Sequence, residues 1–470
     1  MAAKNTFLIY LPALLLLCGC APKFSPDRTH FLKDGDEVPT VELAYYKSVQ
    51  ERPGQDPDLA VALAISGGGA RAANFGMGIM LGLEQISPGP GRNALAEVDY
   101  LSTVSGGGFA AGAYVTAFYD HEYYRRPGRF ELREYLPQIQ ADLAYSYTGV
   151  LLRANFDPRL WLSRADDGDA LERAIDEQVL GAGRRRSTFG LRGPSLVLGD
   201  LFVPYDSPLP VRFPMHIANS STLNTMHIFP FTPDILQCYQ ISGYRHRLRI
   251  MHDAALDPYQ VPLSVGIKAS GSFPVLISNT VLRSEYSAER PYLHLIDGAM
   301  TDNIGHYTAL ELLKQEPRER RKALLIIDAD AIGNRYTFSR RGGAIFSLKV
   351  FSRLPSSGLD ARRATLEKDL REACLLQGIK PVVFSFHILL HNNEAPLPEA
   401  FELKTEQRRL IGLLKKQLSL SDADKQMLYE LLTNIDTKYR ITLEEQELLL
   451  LGGQLIVRLM EQEVKEALGE

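Results

Sequence analysis

The chain has 470 residues, of which 45% are hydrophobic and 23% are charged, an ordinary balance for a globular protein. Its formal net charge is −4 at pH 7, so the overall charge gives no reason to expect nucleic acid as a partner. The length allows one large α/β domain with extensions, or a few smaller domains.

The N-terminus has the pattern of a secretory signal. Lys4 precedes a short apolar run that ends at LCGC, residues 17–20, and the run is too short to span a bilayer comfortably. Gly19 before Cys20 resembles the bacterial lipobox, which implies a signal peptide over residues 1–19 and lipidation of Cys20. An ordinary signal peptide and an uncleaved anchor are the alternatives. The two residues after Cys20 lack the aspartate that retains lipoproteins at an inner membrane, so we expect an outer-membrane protein that is anchored to the bilayer by lipid.

A tether rich in Pro, Asp, Lys and Gly, residues 20–57, leads to the predicted main domain, residues 58–395. LAVALAI (59–65) and VDYLSTV (98–104) are continuous apolar runs, as in strands that are buried on both faces of a parallel sheet. Each is followed by a glycine-rich turn and a helical pattern. This order, strand–turn–helix twice over, predicts an α/β fold with a mostly parallel central sheet.

Further elements follow along the chain. Residues 121–200 are charged, aromatic and interrupted by Pro and Gly, which indicates a lid-like insertion. The final segment, residues 396–470, has amphipathic helical patterns and is predicted to pack on the core. Further strands are predicted at 211–220, 292–296, 322–328 and 381–389.

Two cysteines remain after the lipobox. Cys238 and Cys374 allow one disulfide in an oxidising compartment, but no spacing supports a metal site. We therefore expect neither a metal nor another cofactor.

Ser105 is the first candidate for chemistry. A strand that ends in serine, followed by small residues and a helix, is typical of a nucleophile elbow, because a tight turn requires small neighbours. Gly106, Gly107 and Gly108 meet that need. The common G-x-S-x-G pattern has glycine two residues before the serine, where this chain has Thr103.

The run SGGGAR, which precedes the first helix, is the second candidate. Successive glycines before a helix can direct backbone N–H groups at an oxyanion. Gly67, Gly69 and Ala72 also fit the G-x-G-x-x-A dinucleotide pattern, which expects an acidic residue at the end of the next strand. The next strand ends at Ser105 instead, which favours hydrolysis.

Asp297 is the third candidate. The run LHLIDGAMTDNIG, residues 293–305, delivers it from a strand into a glycine-containing turn, where its carboxylate could reach a serine hydroxyl. An Asp-Gly pair after a strand is otherwise an ordinary turn.

Together the three elements resemble the patatin-like phospholipase family, which has a G-G-G-x-R-G loop, a G-x-S-x-G elbow and a later D-G-G/A aspartate. This chain has GGGARA (67–72), TVSGG (103–107) and DGA (297–299) in that order. KASGSFP (268–274) resembles the family's A-S-x-x-x-P segment, and residues 435–454 resemble its closing helix. The resemblance extends from about residue 59 to near the C-terminus, with departures at Ala72, Thr103 and Ala299.

The resemblance implies a three-layer patatin-like fold and a Ser–Asp dyad without histidine. Ser105 would attack an ester carbonyl and Asp297 would accept its proton, while the amides around Gly67, Gly68 and Gly69 hold the oxyanion. The implied substrate is a phospholipid or another acyl lipid, as in phospholipase A or lysophospholipase activity.

Two more residues match the family's motifs. Arg71 could orient the loop or contact a headgroup phosphate, and an exposed surface arginine is an equal alternative. Asn303 matches an asparagine of the family, which we interpret as structural.

Two other interpretations remain open. An ordinary hydrolase triad would combine Ser105 with Asp328 or Asp330 and with His387 or His391. Alternatively, a catalytically weak envelope lipoprotein could bind lipid or a protein partner on the same fold, which Thr103 would favour.

Overall fold

The computed structural model describes residues 55–124, 126, 128–157, 166–185, 194–203, 213–244, 256–274, 276–285, 291–329, 370–390, 403–417, 419–435, 437 and 440–469. The predicted signal peptide, Cys20 and nearly all of the tether lie outside these residues, as do Asp330 and His391.

A single mixed sheet forms the centre of the described part of the chain. Its strand order is β5-β6-β7-β3-β2-β1-β8-β9, and β4 pairs with β3. Four neighbouring pairs are parallel: β3 with β2, β2 with β1, β1 with β8 and β8 with β9. The other pairs are antiparallel: β3 with β7, β7 with β6, β6 with β5 and β3 with β4. The strands are β1 Leu59–Ile65, β2 Val98–Val104, β3 Met215–Thr222, β4 Ile228–Pro230, β5 Ile241–Tyr244, β6 Thr280–Ser284, β7 Tyr292–Asp297, β8 Arg321–Asp328 and β9 Ile379–Ser385.

Helices flank the sheet. The described helices are α1 Gly69–Leu83, α2 Gly106–Tyr123, α3 Leu136–Leu143, α4 Tyr147–Asn155, α5 Asp167–Ala174, α6 Leu198–Leu201, α7 Pro233–Cys238, α8 Leu263–Ser270, α9 His306–Gln315, α10 Leu403–Lys415, α11 Asp422–Thr433, α12 Leu443–Leu459 and α13 Glu461–Leu468. Together with the sheet they confirm the predicted α/β fold.

The two apolar runs that begin the domain are central strands. Every residue of β1 and β2 is buried, because helices cover both faces of each strand and neighbouring strands pair with both of its edges. Both strands end at the same edge of the sheet, so the turns that follow them, at Ser66–Gly68 and at Ser105, lie side by side.

Two predicted strands differ from the structure by more than one residue at an end. The strand predicted at 211–220 begins at Met215. The strand predicted at 381–389 begins at Ile379 and ends at Ser385, and a 3₁₀ turn, Phe386–Leu389, follows it. Phe386 and Leu389 are both buried, and a spacing of three residues brings side chains to one face in a 3₁₀ turn but not in a strand.

The C-terminal helices pack against the first helix of the domain. A Cβ atom on Gly78 of α1 would lie 2.6 Å from Leu450 O of α12, and one on Gly453 of α12 would lie 2.8 Å from Gly78 C. The two backbones therefore touch at glycines. No helix among the described residues is long and apolar enough to cross a membrane. Cys238 is exposed, Cys374 is buried and both are free, so the disulfide that the sequence allows is not formed.

Candidate active site

Ser105 occupies a sharp turn between β2 and α2. Its φ is 49° and its ψ is −117°, a backbone conformation that residues other than glycine rarely adopt. The helix after it lies very close to the first glycine loop: a Cβ atom on Gly106 would overlap Gly69 O, and one on Gly107 would lie 2.5 Å from Ile65 O. Glycine is therefore required at both positions if the strained serine is to stand between strand and helix.

Thr103, which replaces the usual elbow glycine, is accommodated beneath this turn. Its side chain is fully buried, and its Oγ1 lies 2.8 Å from His216 Nε2 and 3.3 Å from Ile217 O. A Cβ atom on Gly108 would lie 3.5 Å from Thr103 Oγ1, an ordinary contact, so the threonine does not push the helix away. Burial lowers the pKa of His216 to about 3, which keeps the ring neutral.

Asp297 ends β7 and meets Ser105. Its carboxylate accepts a hydrogen bond from the Ala299 N–H at 2.9 Å, and the Ser105 hydroxyl is near enough to lower the pKa of Asp297. The residue is 1% exposed. Burial raises the pKa of Asp297 to about 7, although the bonds from Ala299 and Ser105 act in the opposite direction. A carboxylate with this pKa is a much stronger base than an ordinary one, and it lies where it can take the serine proton.

The glycine loop separates into two parts. Gly67 N–H donates to Asn303 O at 2.8 Å, and a Cβ atom there would overlap Asn303 Oδ1. This amide is thus engaged in the loop that follows Asp297. Gly68 and Gly69 have φ values of 138° and 59° and lead into α1. N–H groups at the start of a helix have no acceptor within the helix, so the amides of Gly68 and Gly69 are the ones suited to an oxyanion.

Arg71 is buried rather than exposed. It is 4% exposed, and its Nη1 donates to Ile435 O at 2.8 Å. The guanidinium thereby ties the start of α1 to the chain after α11. This position suits support of the glycine loop and leaves the side chain little access to a lipid headgroup.

An apolar cavity opens beside Ser105. Gly69 and Gly106 border it at the serine end. Lys268 also borders the cavity, and its ammonium donates to Ser278 O at 2.8 Å and to Thr280 Oγ1 at 3.1 Å. The apolar wall is formed by Phe109 of α2, by Ile267 of α8 and by residues of the predicted lid. These lid residues are Leu143, Tyr147, Leu171 and Ile175.

Asp328 and His387, the candidates for the alternative triad that the structure describes, do not lie beside Ser105. Asp328 ends β8 and His387 follows β9, and both strands lie on the far side of β1 from β2. The His387 ring is exposed and contacts the Tyr429 ring, with centroids 5.8 Å apart.

Sequence reasoning missed two residues that support the site. Ser270 Oγ accepts a hydrogen bond from Ser105 N–H at 2.8 Å and donates to Asn219 O at 2.6 Å. Asn219 Nδ2 donates to Thr103 O at 3.1 Å. Ser270 lies in the KASGSFP motif, which was a usable signal, whereas nothing in the sequence around Asn219 marks it.

The chain is similar to a known protein family and to solved structures. The family model described as patatin-like phospholipase matches residues 63–310, which is more than half of the chain. No curated protein matches the chain in sequence. Among solved structures, human GIVD cytosolic phospholipase A2 matches with 12% sequence identity and a TM-score of 0.40, over 100% of this chain and 67% of that one. On the family match, the chain belongs to the patatin-like phospholipase family.

Proposed function

We propose that the protein is a lipid acyl-ester hydrolase, of the phospholipase A or lysophospholipase type, that uses Ser105 and Asp297 as a dyad. Family membership supports lipid hydrolysis at a general level. The observation that carries the specific proposal is the strained Ser105, beside a buried carboxylate whose pKa is near 7, at the head of an apolar cavity.

In the first half of the proposed reaction, Ser105 Oγ attacks the ester carbonyl carbon as its proton passes to Asp297. The negative charge that develops on the carbonyl oxygen is held by the amides of Gly68 and Gly69, each worth about 3 to 4 kcal/mol of transition-state stabilisation if well placed. The C–O bond to the alcohol then breaks, and the alcohol leaves with the proton from Asp297. An acyl-enzyme remains on Ser105.

In the second half, water attacks the acyl-enzyme and transfers a proton to Asp297. The tetrahedral intermediate collapses, the fatty acid leaves and Ser105 recovers its proton. The same carboxylate therefore acts as base and acid in turn.

The apolar cavity supports a lipid acyl group as the substrate class. Burial of a chain against its wall would contribute about 0.8 kcal/mol for each methylene. The alternative of a catalytically weak lipid-binding lipoprotein depended on Thr103, whose side chain is accommodated by His216 and Gly108. We also propose that a lipid on Cys20 anchors the protein to the outer membrane, which the LCGC sequence supports.

The proposal is tested by hydrolysis of p-nitrophenyl esters of increasing acyl length. Wild-type protein should hydrolyse long-chain esters faster than acetate, and Ser105→Ala should reduce both to background. Ala73 borders the cavity and is 4% exposed, so Ala73→Leu should fill part of the cavity. We expect this variant to lose activity on long chains and to keep it on acetate. Equal losses on both esters would contradict acyl binding in this cavity.

A further inference from the structure

One turn, Ser270–Ser272, contacts the backbone of both dyad residues. Ser105 N–H donates to Ser270 Oγ at 2.8 Å, and Asp297 N–H donates to Ser272 O at 3.0 Å. Ser105 follows β2 and Asp297 ends β7, and β3 lies between these two strands. The turn therefore connects two residues whose own strands do not touch.

The hydroxyl of Ser270 both accepts and donates. It receives the Ser105 N–H and donates to Asn219 O of β3 at 2.6 Å. A hydroxyl can do both through one atom, whereas a methyl group can do neither and a thiol does both weakly. Ser270 is fully buried, so loss of its hydroxyl would leave the Ser105 amide without a partner in the interior.

The carbonyl that receives Ser270 is itself wedged against the catalytic turn. A Cβ atom on Gly298, the residue after Asp297, would overlap Asn219 O. The hydrogen-bond chain from Ser105 N–H through Ser270 to Asn219 O thus ends in contact with the turn that holds the candidate base. Ser105 is thus linked through Ser270 to a carbonyl that also contacts the residue after Asp297.

The strained backbone of Ser105 requires restraints of the kind that these hydrogen bonds provide. A non-glycine residue with a φ of 49° persists only when its surroundings over-determine that conformation. The hydrogen bond from the Ser105 N–H to Ser270 Oγ is one such restraint, and it acts on the residue that bears the nucleophile.

We propose that Ser270 is a positioning residue for the dyad, whose hydroxyl holds the Ser105 peptide so that the Ser105 side chain meets Asp297. This inference rests on the proposed function. Ser270 acts through Ser105 and does not itself touch the reacting atoms.

The test compares full-length Ser270→Ala and Ser270→Cys with a matched control, Ser284→Ala. The Ser284 hydroxyl is also buried and donates to a backbone carbonyl, Tyr239 O, on an outer part of the sheet. We expect Ser270→Ala to lower kcat by up to about 10²-fold, with KM nearly unchanged, because small misplacements of reacting groups have effects of that size. Ser270→Cys should lie between it and the wild type, and Ser284→Ala should match the wild type.

The pH dependence of kcat/KM, which reports the free enzyme, provides a readout that general destabilisation would not move. The nearby Ser105 hydroxyl lowers the pKa of Asp297. If Ser105 is displaced, this effect is lost, the pKa of Asp297 rises and the acidic limb of the profile moves to higher pH. We expect this movement in Ser270→Ala and not in Ser284→Ala.

The outcomes separate the inference from the proposed function. Folded Ser270→Ala with wild-type kcat and an unmoved acidic limb would overturn the role of Ser270 while active wild-type protein upholds the proposed function. Wild-type protein that hydrolyses no ester would overturn the proposed function and the inference with it. If Ser270→Ala does not fold, Ser270→Cys decides by the same two readouts, and wild-type values for both would overturn the inference.

Discussion

Burial makes Asp297 a stronger base than an ordinary aspartate. Its carboxylate lies beneath the surface, where it accepts a hydrogen bond from the Ala299 amide and lies near the Ser105 hydroxyl. These two neutral groups offset only part of the desolvation of the charge, so the pKa of Asp297 stays near 7. A dyad without histidine requires such a shift, since a carboxylate with a pKa near 3.9 takes a serine proton poorly.

This pKa predicts the pH dependence of acyl-enzyme formation. The base is the ionised carboxylate, and because its pKa is raised, the ionised fraction grows as pH rises through about 7. We expect kcat/KM for a neutral ester to fall about tenfold for each pH unit below that value. Asp297→Asn should abolish the dependence together with most of the activity. An acidic limb near the ordinary aspartate pKa, at about pH 4, would contradict a buried base.

Thr103 has a structural role that can be separated from catalysis. Thr103→Val removes the hydroxyl while keeping the shape, and it leaves the buried His216 Nε2 without the partner that lies 2.8 Å away. We expect a loss of about 1 to 3 kcal/mol in the free energy of unfolding, measured with urea. Thr103→Ser keeps the hydroxyl and should stay closer to the wild type. Equal stability of Thr103→Val and wild-type protein would show that the bond contributes nothing.

The candidate residues were predictable to different degrees. Ser105 and Asp297 could be found because a strand end, small neighbours and motif order are local features. The engagement of Gly67 by Asn303 and of Arg71 by Ile435 depends on contacts between distant parts of the chain. Local pattern carries no signal for such contacts, and the raised pKa of Asp297 likewise follows from its tertiary burial.

At the scale of elements, the contact between α1 and α12 depends on glycine. Gly78→Ala would place a Cβ atom 2.6 Å from Leu450 O, so the helices must separate. We expect a loss of about 1 to 3 kcal/mol in the free energy of unfolding, the range typical of overpacking.

The matched control is Gly412→Ala in α10, where a Cβ atom would have nothing within 4 Å. This change should stabilise the protein by about 0.5 to 1 kcal/mol, because alanine loses less backbone freedom in a helix. Chemical denaturation of both variants measures the difference. Similar stabilities for the two variants would contradict close packing of α1 against α12.

Element type was more predictable than element ends. β1 and β2 were evident because strands buried on both faces are apolar throughout. The predicted strand extended beyond the end of β9 because PVVFSFHIL (381–389) stays largely apolar to its end. An apolar run does not by itself distinguish a strand from a 3₁₀ turn. The antiparallel strands β4, β5 and β6 were not predicted, since each has only three to five residues and leaves little pattern in the sequence.

Across the whole molecule, segments far apart in sequence complete one site. The parallel strands place the glycine loop beside Ser105, and an antiparallel strand brings Asp297 to the same edge. Helices α3, α4 and α5 supply Leu143, Tyr147 and Leu171 to the cavity wall. Helix α12 packs on α1, whose first residue belongs to the glycine loop, so the C-terminal helices support the site from behind.

The decisive measurement is mass-spectrometric mapping of the adduct that a fluorophosphonate forms with the folded protein. We predict a single adduct on Ser105, absent in Ser105→Ala, much slower in Asp297→Asn and unchanged in His387→Ala and His391→Ala. Folded wild-type protein that stays unlabelled, an adduct on another residue, or a rate that depends on either histidine would contradict a Ser105–Asp297 dyad.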